Sequence, residues 1–309
     1  MRNVSRSGKA AAWMMAARPR TLPASTSGVI VGSVLAFAEG RFALLPALAS
    51  FVVALALQIA SNLANDVFDF ESGADAKRAH GPTRVTQSGI LSPREVKRGL
   101  LLTMAIAAAA GVWLVIRTAE LEPGSWPWLL AAGAAAILAS VAYSTGPFPL
   151  SRLGLGDLFV LIFFGFAATM GSFYVQAGHL SAAPILLSLG PGLVIVAILV
   201  VNNLRDIEED REVGKRTLAV RFGPGFAKSE YIACLALSDL VLALTVALGL
   251  VPAWGLLALA SLPLAVKNLR IVLTARGQAL NAALTGTGLL SFVWALLFAA
   301  GLIAARLFG

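Results

Sequence analysis

The sequence predicts an all-α polytopic membrane protein of about nine transmembrane helices in a bundle. Three observations carry that prediction. Hydrophobic residues make up 58% of the 309-residue chain and charged residues only 13%, with a mean hydropathy of +0.82. Soluble domains hold about 45–50% apolar and about 25% charged residues, so a water-soluble globule and a disordered chain are both excluded. The apolar runs are continuous rather than alternating, which selects helices over a barrel. Lysine and arginine also sort to one side of those runs.

A spanning helix needs about 20 mostly apolar residues. Residues 1–21 read as a cytoplasmic tail, because the short apolar patch at 10–17 is cut by Arg18-Pro19-Arg20 before it can act as a signal peptide. Residues 22–309 then form a single transmembrane domain. The first span, 22–39, stops before Arg41, and the second, 44–65, runs into an acidic stretch. The third, 99–116, ends at Arg117, and the fourth, 126–144, opens on Trp126 and Trp128, which suit a membrane interface. The fifth and sixth, 156–177 and 184–204, lead to a second acidic stretch. The last three are 230–250, a short 253–268, and 284–305. Two connectors, 66–98 and 205–229, are long and polar. The lone cysteine, Cys234, lies in an apolar run, so no intramolecular disulfide exists.

With the N-terminus in the cytoplasm, 21 of the 24 lysines and arginines fall on the inside, leaving Arg41, Arg117 and Arg306 outside. The C-terminus then lies outside, and both long connectors face the cytoplasm. This asymmetry accounts for the net charge of +8 without a nucleic-acid partner.

The carboxylates concentrate in those connectors. One cluster reads Asn62-Leu-Ala-Asn65-Asp66-Val-Phe-Asp69-Phe-Glu71 with Asp75 beyond, and the other Asn202-Asn-Leu-Arg205-Asp206-Ile-Glu208-Glu209-Asp210. Asn62/Asp66 and Asn202/Asp206 share a spacing of four and lie 140 residues apart, the mark of an internal duplication of the second and sixth spans. Residues three or four apart share a helix face. Asn62, Asp66 and Asp69 therefore line one face, and Asn202, Asp206 and Asp210 another. Several carboxylates at a helix C-terminus repel each other and the helix dipole unless a cation is present. All-oxygen ligands suit Mg²⁺, which usually shares its shell with phosphate oxygens. Lys77, Arg78 and Arg84 follow the first cluster, and Lys215 and Arg216 the second. Acids for Mg²⁺ beside bases for phosphate make a diphosphate site, and its place at a membrane face points to a lipid substrate. No P-loop or kinase pattern is present.

The motifs resemble those of the UbiA superfamily of intramembrane aromatic prenyltransferases, and most closely its menaquinone branch, the 1,4-dihydroxy-2-naphthoate polyprenyltransferases. The resemblance covers most of the chain: Arg18-Pro-Arg-Thr-Leu-Pro23, Asn62-Leu-Ala-Asn65-Asp66, Gly81-Pro-Thr-Arg84 with Gln87-Ser-Gly, Tyr143-Ser-Thr-Gly-Pro147, Gly154-Leu-Gly-Asp157 through Phe163-Phe-Gly165, Tyr174-Val-Gln176, and Asn202-Asn-Leu-Arg-Asp206 through Gly214-Lys-Arg-Thr-Leu-Ala-Val-Arg221. Two departures from the wider superfamily stand out. Gly73 replaces the last aspartate of the commoner first motif, with Asp75 two residues later, as in the menaquinone branch, and Asp157 stands where a glutamate is more usual.

The resemblance implies transfer of a polyprenyl group from its diphosphate to 1,4-dihydroxy-2-naphthoate, with loss of diphosphate and CO₂, giving demethylmenaquinol in a bacterial cytoplasmic membrane. Asp66, Asp69, Asp206 and Asp210 would hold two Mg²⁺ ions bridged by the diphosphate, with Asp75 joining through water. Asn62, Asn65 and Asn202 would orient ligands, while Lys77, Arg78, Arg84, Lys215 and Arg216 would meet phosphate oxygens. Tyr143 would face the prenyl cation with its ring, and the apolar spans, open to membrane lipid, would house the tail. Phytyl transfer for phylloquinone, or another acceptor such as 4-hydroxybenzoate, homogentisate or a porphyrin, is the nearest alternative; a transporter is the remote one, since its acids would sit at mid-depth. Asp157 is read as a helix cap or an acceptor contact. Asp239, inside a span, is read as a structural acid paired through Ser238 and nearby helices. His80 and His179 are not read as ligands.

Overall fold

The computed structural model describes residues 6–73, 84–142 and 153–308, and its regular elements are helical. Among the described residues, nine helices are long and apolar enough to cross a membrane. Asp75, Lys77, Arg78 and Tyr143 lie outside the described residues.

Most of residues 6–21, ahead of the first span, are helical as well. Helix α1, Arg6–Ala17, buries Ala12 and Ala16 against the second span. Arg18 then takes a left-handed conformation (φ 50°), and one 3₁₀ turn, Pro19–Thr21, leads into α2, Leu22–Ala38. The remaining helices are α3, Leu44–Glu71; α4, Pro93–Leu121; α5, Trp126–Ala142; and α6, Gly156–Ala177, with a π turn over Leu161–Ala167. They continue as α7, Ala182–Arg205; a short α8, Ile207–Glu212; α9, Leu218–Ala247; α10, Ala253–Thr274; and α11, Asn281–Phe308.

Most helices match the apolar runs, and several outlast them because polar residues close their ends. Ser92 and Glu95 form a reciprocal capping box, so α4 begins six residues before the apolar run at 99. Thr217 accepts from the Val220 amide and starts α9 well before residue 230, with a break at Gly223 (φ 85°) ahead of Pro224. The second span runs on to Glu71, so the first aspartate motif sits within a continuous helix. The short eighth run is extended differently. Residues Ala253–Ser261 are 3₁₀, which rises about 2.0 Å per residue instead of about 1.5 Å.

Helices α2 and α7 are the most enclosed, and α3, α4 and α5 leave most of their surface outward. Leu101, Leu102, Ile116 and Leu138 on that outer surface are more than half exposed, as suits helices facing acyl chains. One core joins α2, α6, α10 and α11 around Phe173, Trp294 and Phe298, and a second joins α7, α9 and α11 around Tyr231. Polar side chains cross-link the interior: Ser291 donates to Ser27 at 2.9 Å, the Tyr231 and Thr287 hydroxyls meet at 2.9 Å, and Gln176 donates to Ser33 at 3.1 Å. Helix α2 approaches α6 so closely that a Cβ on Gly32 would overlap Ser172 Oγ and the Thr169 carbonyl.

Asp239 is paired, as its place inside a span requires, through a neighbouring helix and not through Ser238. Trp294 Nε1 donates to Asp239 Oδ1 at 3.1 Å, while Ser238 donates instead to the Gly190 carbonyl at 2.8 Å. A serine adjacent in sequence points to another face of the same helix, so the neighbouring helix supplies the donor. His179 sits against Glu39 at 3.0 Å, remote from both motifs in sequence.

Candidate functional site: an acidic and basic head above an apolar cavity

The ends of α3 and α7 border one cavity of about 1090 Å³. Along α3 it is lined from Asp69 back to Ser50. The nineteen steps of helix from Ser50 to Asp69 rise about 28 Å, close to the thickness of a hydrocarbon core. Its head is lined by both signs of charge: Asp69, Asp157, Asp206 and Asp210 together with Arg18, Arg20, Arg84, Arg205 and Lys215. Its long wall is apolar, supplied by α4, α5, α6 and α7, with Phe159, Phe163 and Phe164 near the start of α6. Such a shape takes a charged head group and a long hydrocarbon tail.

The first motif divides its labour. Asn65 and Asp69 border the cavity, and Asp69 pairs with Arg84 Nη2 at 2.9 Å. Asp66, read as a metal ligand, is 2% exposed and does not border the cavity. Its Oδ2 accepts from the Val85 amide at 3.1 Å and its Oδ1 from the Thr86 amide at 2.9 Å. Its carboxylate thus ties the 84–88 turn to α3 and places Arg84 beside Asp69. Asn62 borders the cavity, but its amide donates to the Ala17 carbonyl at 3.0 Å and to Thr21 Oγ1 at 3.1 Å, and its oxygen accepts from Gln58 at 3.3 Å. It fastens the strained Arg18 junction to α3.

The second motif straddles a break. Helix α7 ends at Arg205, Asp206 has φ −98° and ψ 14°, and α8 follows. Backbone bonds from Asp206 to the Asn202 carbonyl (3.1 Å) and from Asp210 to the Asp206 carbonyl (2.8 Å) keep the four-residue spacing across that break. Asn202, Asp206 and Asp210 therefore still share one side, and all three border the cavity. Asp206 is gripped by Arg205 at 2.6 and 2.7 Å, and Asp210 pairs with Lys215 at 2.8 Å. Arg216 does not border the cavity: its side chain is exposed, and its backbone carbonyl abuts the Gly154 turn.

The sequence predicts four carboxylates converging on a cation. Among the described residues no three acidic, histidine or cysteine side chains gather closely enough to hold one ion. Like charges separate, and three of the cavity-facing acids are each met by a different cation: Asp69 by Arg84, Asp206 by Arg205, Asp210 by Lys215. The donor set is still all oxygen, from three carboxylates and the nearby asparagines, and it fits Mg²⁺ rather than a softer metal. Asp157 is not a cap: Leu155 holds the cap position of α6, and no side-chain bond closes it. Asp157 borders the cavity instead, and its Oδ1 is buried without a hydrogen-bond partner.

Arg205 and Asn281 are site residues that the pattern did not reveal as such. Arg205 reads in sequence as one more inside cation, although its place beside Asp206 in the last turn of a span is a usable signal. Asn281 carries no signal, because it lies 76 residues away.

Known proteins similar to this chain cover most of its length. The model of the UbiA prenyltransferase family matches residues 26–296. The chain is 42% identical to a 1,4-dihydroxy-2-naphthoate octaprenyltransferase of Escherichia coli (strain K12), over 85% of each chain. It is 35% identical to the protein of the same description from Mycobacterium leprae, over 96% of this chain and 97% of that one. A UbiA homolog from Archaeoglobus fulgidus, solved bound to GPP and Mg²⁺, superposes with a TM-score of 0.65 at 15% identity, over 94% of this chain and 99% of that one.

Proposed function

The chain belongs to the UbiA prenyltransferase family, and from that premise we propose how its cavity carries out prenyl transfer. The enzyme moves a polyprenyl group from polyprenyl diphosphate to 1,4-dihydroxy-2-naphthoate in menaquinone biosynthesis, the reaction named for its relatives. The allylic C–O bond breaks and the bonding pair leaves with the diphosphate. The ring carbon bearing the carboxylate supplies the pair for the new C–C bond. CO₂ then departs, and its bonding pair restores aromaticity, leaving a demethylmenaquinol. The observation that carries this reading is a single cavity joining both aspartate motifs to an apolar channel about as long as the membrane core is thick.

Asp69 and Asp210, with Asp206 held by Arg205, would supply carboxylate oxygens for two Mg²⁺ ions; the relative solved with GPP and Mg²⁺ supports the metal. When bound, those ions neutralise the charge that grows on the leaving diphosphate. Arg84 and Lys215 are placed to turn from Asp69 and Asp210 toward phosphate oxygens. Asp66 holds the turn that carries Arg84. The aromatic and aliphatic wall excludes water from the carbocation, which otherwise is quenched to a prenol. Asp157, open to the cavity, is placed to contact the acceptor's polar substituents. We place the chain in a bacterial cytoplasmic membrane, motifs toward the cytoplasm, on the lysine and arginine asymmetry.

The test is transfer of a radiolabelled prenyl chain by purified enzyme. Chelation should abolish transfer and added Mg²⁺ restore it, and Asp206→Asn and Asp210→Asn should each lower kcat/KM at least about a hundredfold, the scale of a lost transition-state charge contact. Transfer that survives chelation overturns the metal role.

A further inference from the structure

We propose that Arg205 is a positioning residue that fixes the donor oxygens of the second aspartate motif, so that a metal–diphosphate head meets them already in place, a role that rests on the reading of this motif given above. Arg205 is 5% exposed. Its Nε donates to Asp206 Oδ1 at 2.6 Å, and its Nη2 donates to Asp206 Oδ2 and Asn202 Oδ1, both at 2.7 Å. Its Nη1 donates to Asn281 Oδ1 at 2.8 Å. One guanidinium therefore meets four oxygens on three side chains, drawn from α7, from the break after it, and from the first residue of α11.

Adjacent residues on a helix point to different faces, and here, where α7 ends at Arg205 and Asp206 caps it, the long arginine side chain reaches across to the neighbouring carboxylate. Each carboxylate or amide oxygen has two lone pairs. Arg205 holds all four oxygens in one orientation, and all three side chains border the cavity, so the oxygens that an ion or its ligands would meet are fixed at its wall. The pair of Lys215 with Asp210 is a different kind of contact. It is a single bond at 2.8 Å, and the lysine side chain is 29% exposed. A flexible ammonium can leave for a phosphate oxygen, whereas the planar fork cannot leave without stranding buried partners.

The alternative is that Arg205 merely balances charge, and the two roles predict opposite signs. A nearby cation repels a metal ion, so neutralising a simple counter-ion tightens metal binding. Removing a residue that orients ligands weakens it, on the scale of about 10–100-fold known for such partners.

The experiment titrates Mn²⁺ into the full-length protein in detergent with geranyl diphosphate present, and reads bound metal by electron paramagnetic resonance. Arg205→Lys and Arg205→Gln should each raise the Mn²⁺ Kd about tenfold or more. Asn281→Ala, which removes one anchor and leaves the arginine, should raise it several-fold and decides the matter if the arginine variants do not fold. A Kd in Arg205→Gln equal to or below that of the unmodified protein, or no change in Arg205→Lys or Asn281→Ala, overturns the proposal and leaves the metal–diphosphate reading standing. Failure of the unmodified protein to bind Mn²⁺ in this mixture overturns both.

Discussion

Asp66 and Asp69 lie three residues apart in one motif, yet substitution should harm the protein in different ways. Asp66 accepts two buried backbone N–H groups, from Val85 and Thr86. Replacement by alanine strands both donors at about 1–3 kcal/mol each, so Asp66→Ala should cost about 2–6 kcal/mol. Asp66→Asn keeps one acceptor oxygen and turns an NH₂ toward the other donor, which should cost about half as much. Asp69 is 25% exposed and bonds one nitrogen of Arg84. Asp69→Asn preserves an acceptor for that nitrogen and should cost about 1 kcal/mol or less. All three variants should lose transfer activity. The assay is equilibrium unfolding in detergent together with amide hydrogen exchange at Val85 and Thr86. Exchange should accelerate at both amides in the Asp66 variants and stay slow in Asp69→Asn. An Asp66→Ala protein as stable as the unmodified one, with both amides still protected, refutes the anchoring role.

Three further outcomes follow from the packing. Gly133 on α5 borders the cavity, and a Cβ there meets nothing within 4 Å; Gly133→Trp should leave the protein folded while shifting product, read by mass spectrometry of a mixed-donor assay, from long prenyl chains to short ones. Gly32→Ala forces a methyl into Ser172 and the Thr169 carbonyl and should destabilise the α2–α6 contact by about 1–3 kcal/mol, measured by unfolding, with no donor-length preference. Asp239→Asn still accepts from Trp294 and should unfold within about 1 kcal/mol of the unmodified protein, whereas Asp239→Leu orphans a buried indole N–H and should cost about 1–3 kcal/mol.

The fold was legible because membrane spans announce themselves. Continuous apolar runs marked the nine spanning helices found among the described residues, and most deviations lie at ends set by local hydrogen bonds such as the Ser92–Glu95 box. The site was legible as far as residue spacing reaches: Asp69, Asp206, Asp210, Arg84 and Lys215 do come to one cavity. Spacing could not show which way a side chain faces once a loop folds back. Asp66 turned to the 84–88 turn because two backbone donors there needed an acceptor, whereas Asn62 turned its amide N–H groups to the Ala17 carbonyl and the Thr21 hydroxyl oxygen, which needed a donor. Spacing also assumes an unbroken helix, whereas α7 ends at Arg205, and the adjacent Asp206 is gripped by Arg205 at that end. Contacts such as Asn281 with Arg205, far apart in sequence, leave no local trace.

The most direct test of the central claim is the mass of the product made by membranes containing this chain. They would be supplied with 1,4-dihydroxy-2-naphthoate, 4-hydroxybenzoate, a mixture of prenyl and phytyl diphosphates, and Mg²⁺. The account predicts a prenylated naphthoquinol that has lost CO₂, absent when Asp206 is replaced by alanine. Prenyl transfer to 4-hydroxybenzoate with none to the naphthoate would contradict the acceptor, and no Mg²⁺-dependent transfer to either ring would contradict the reading of the cavity itself.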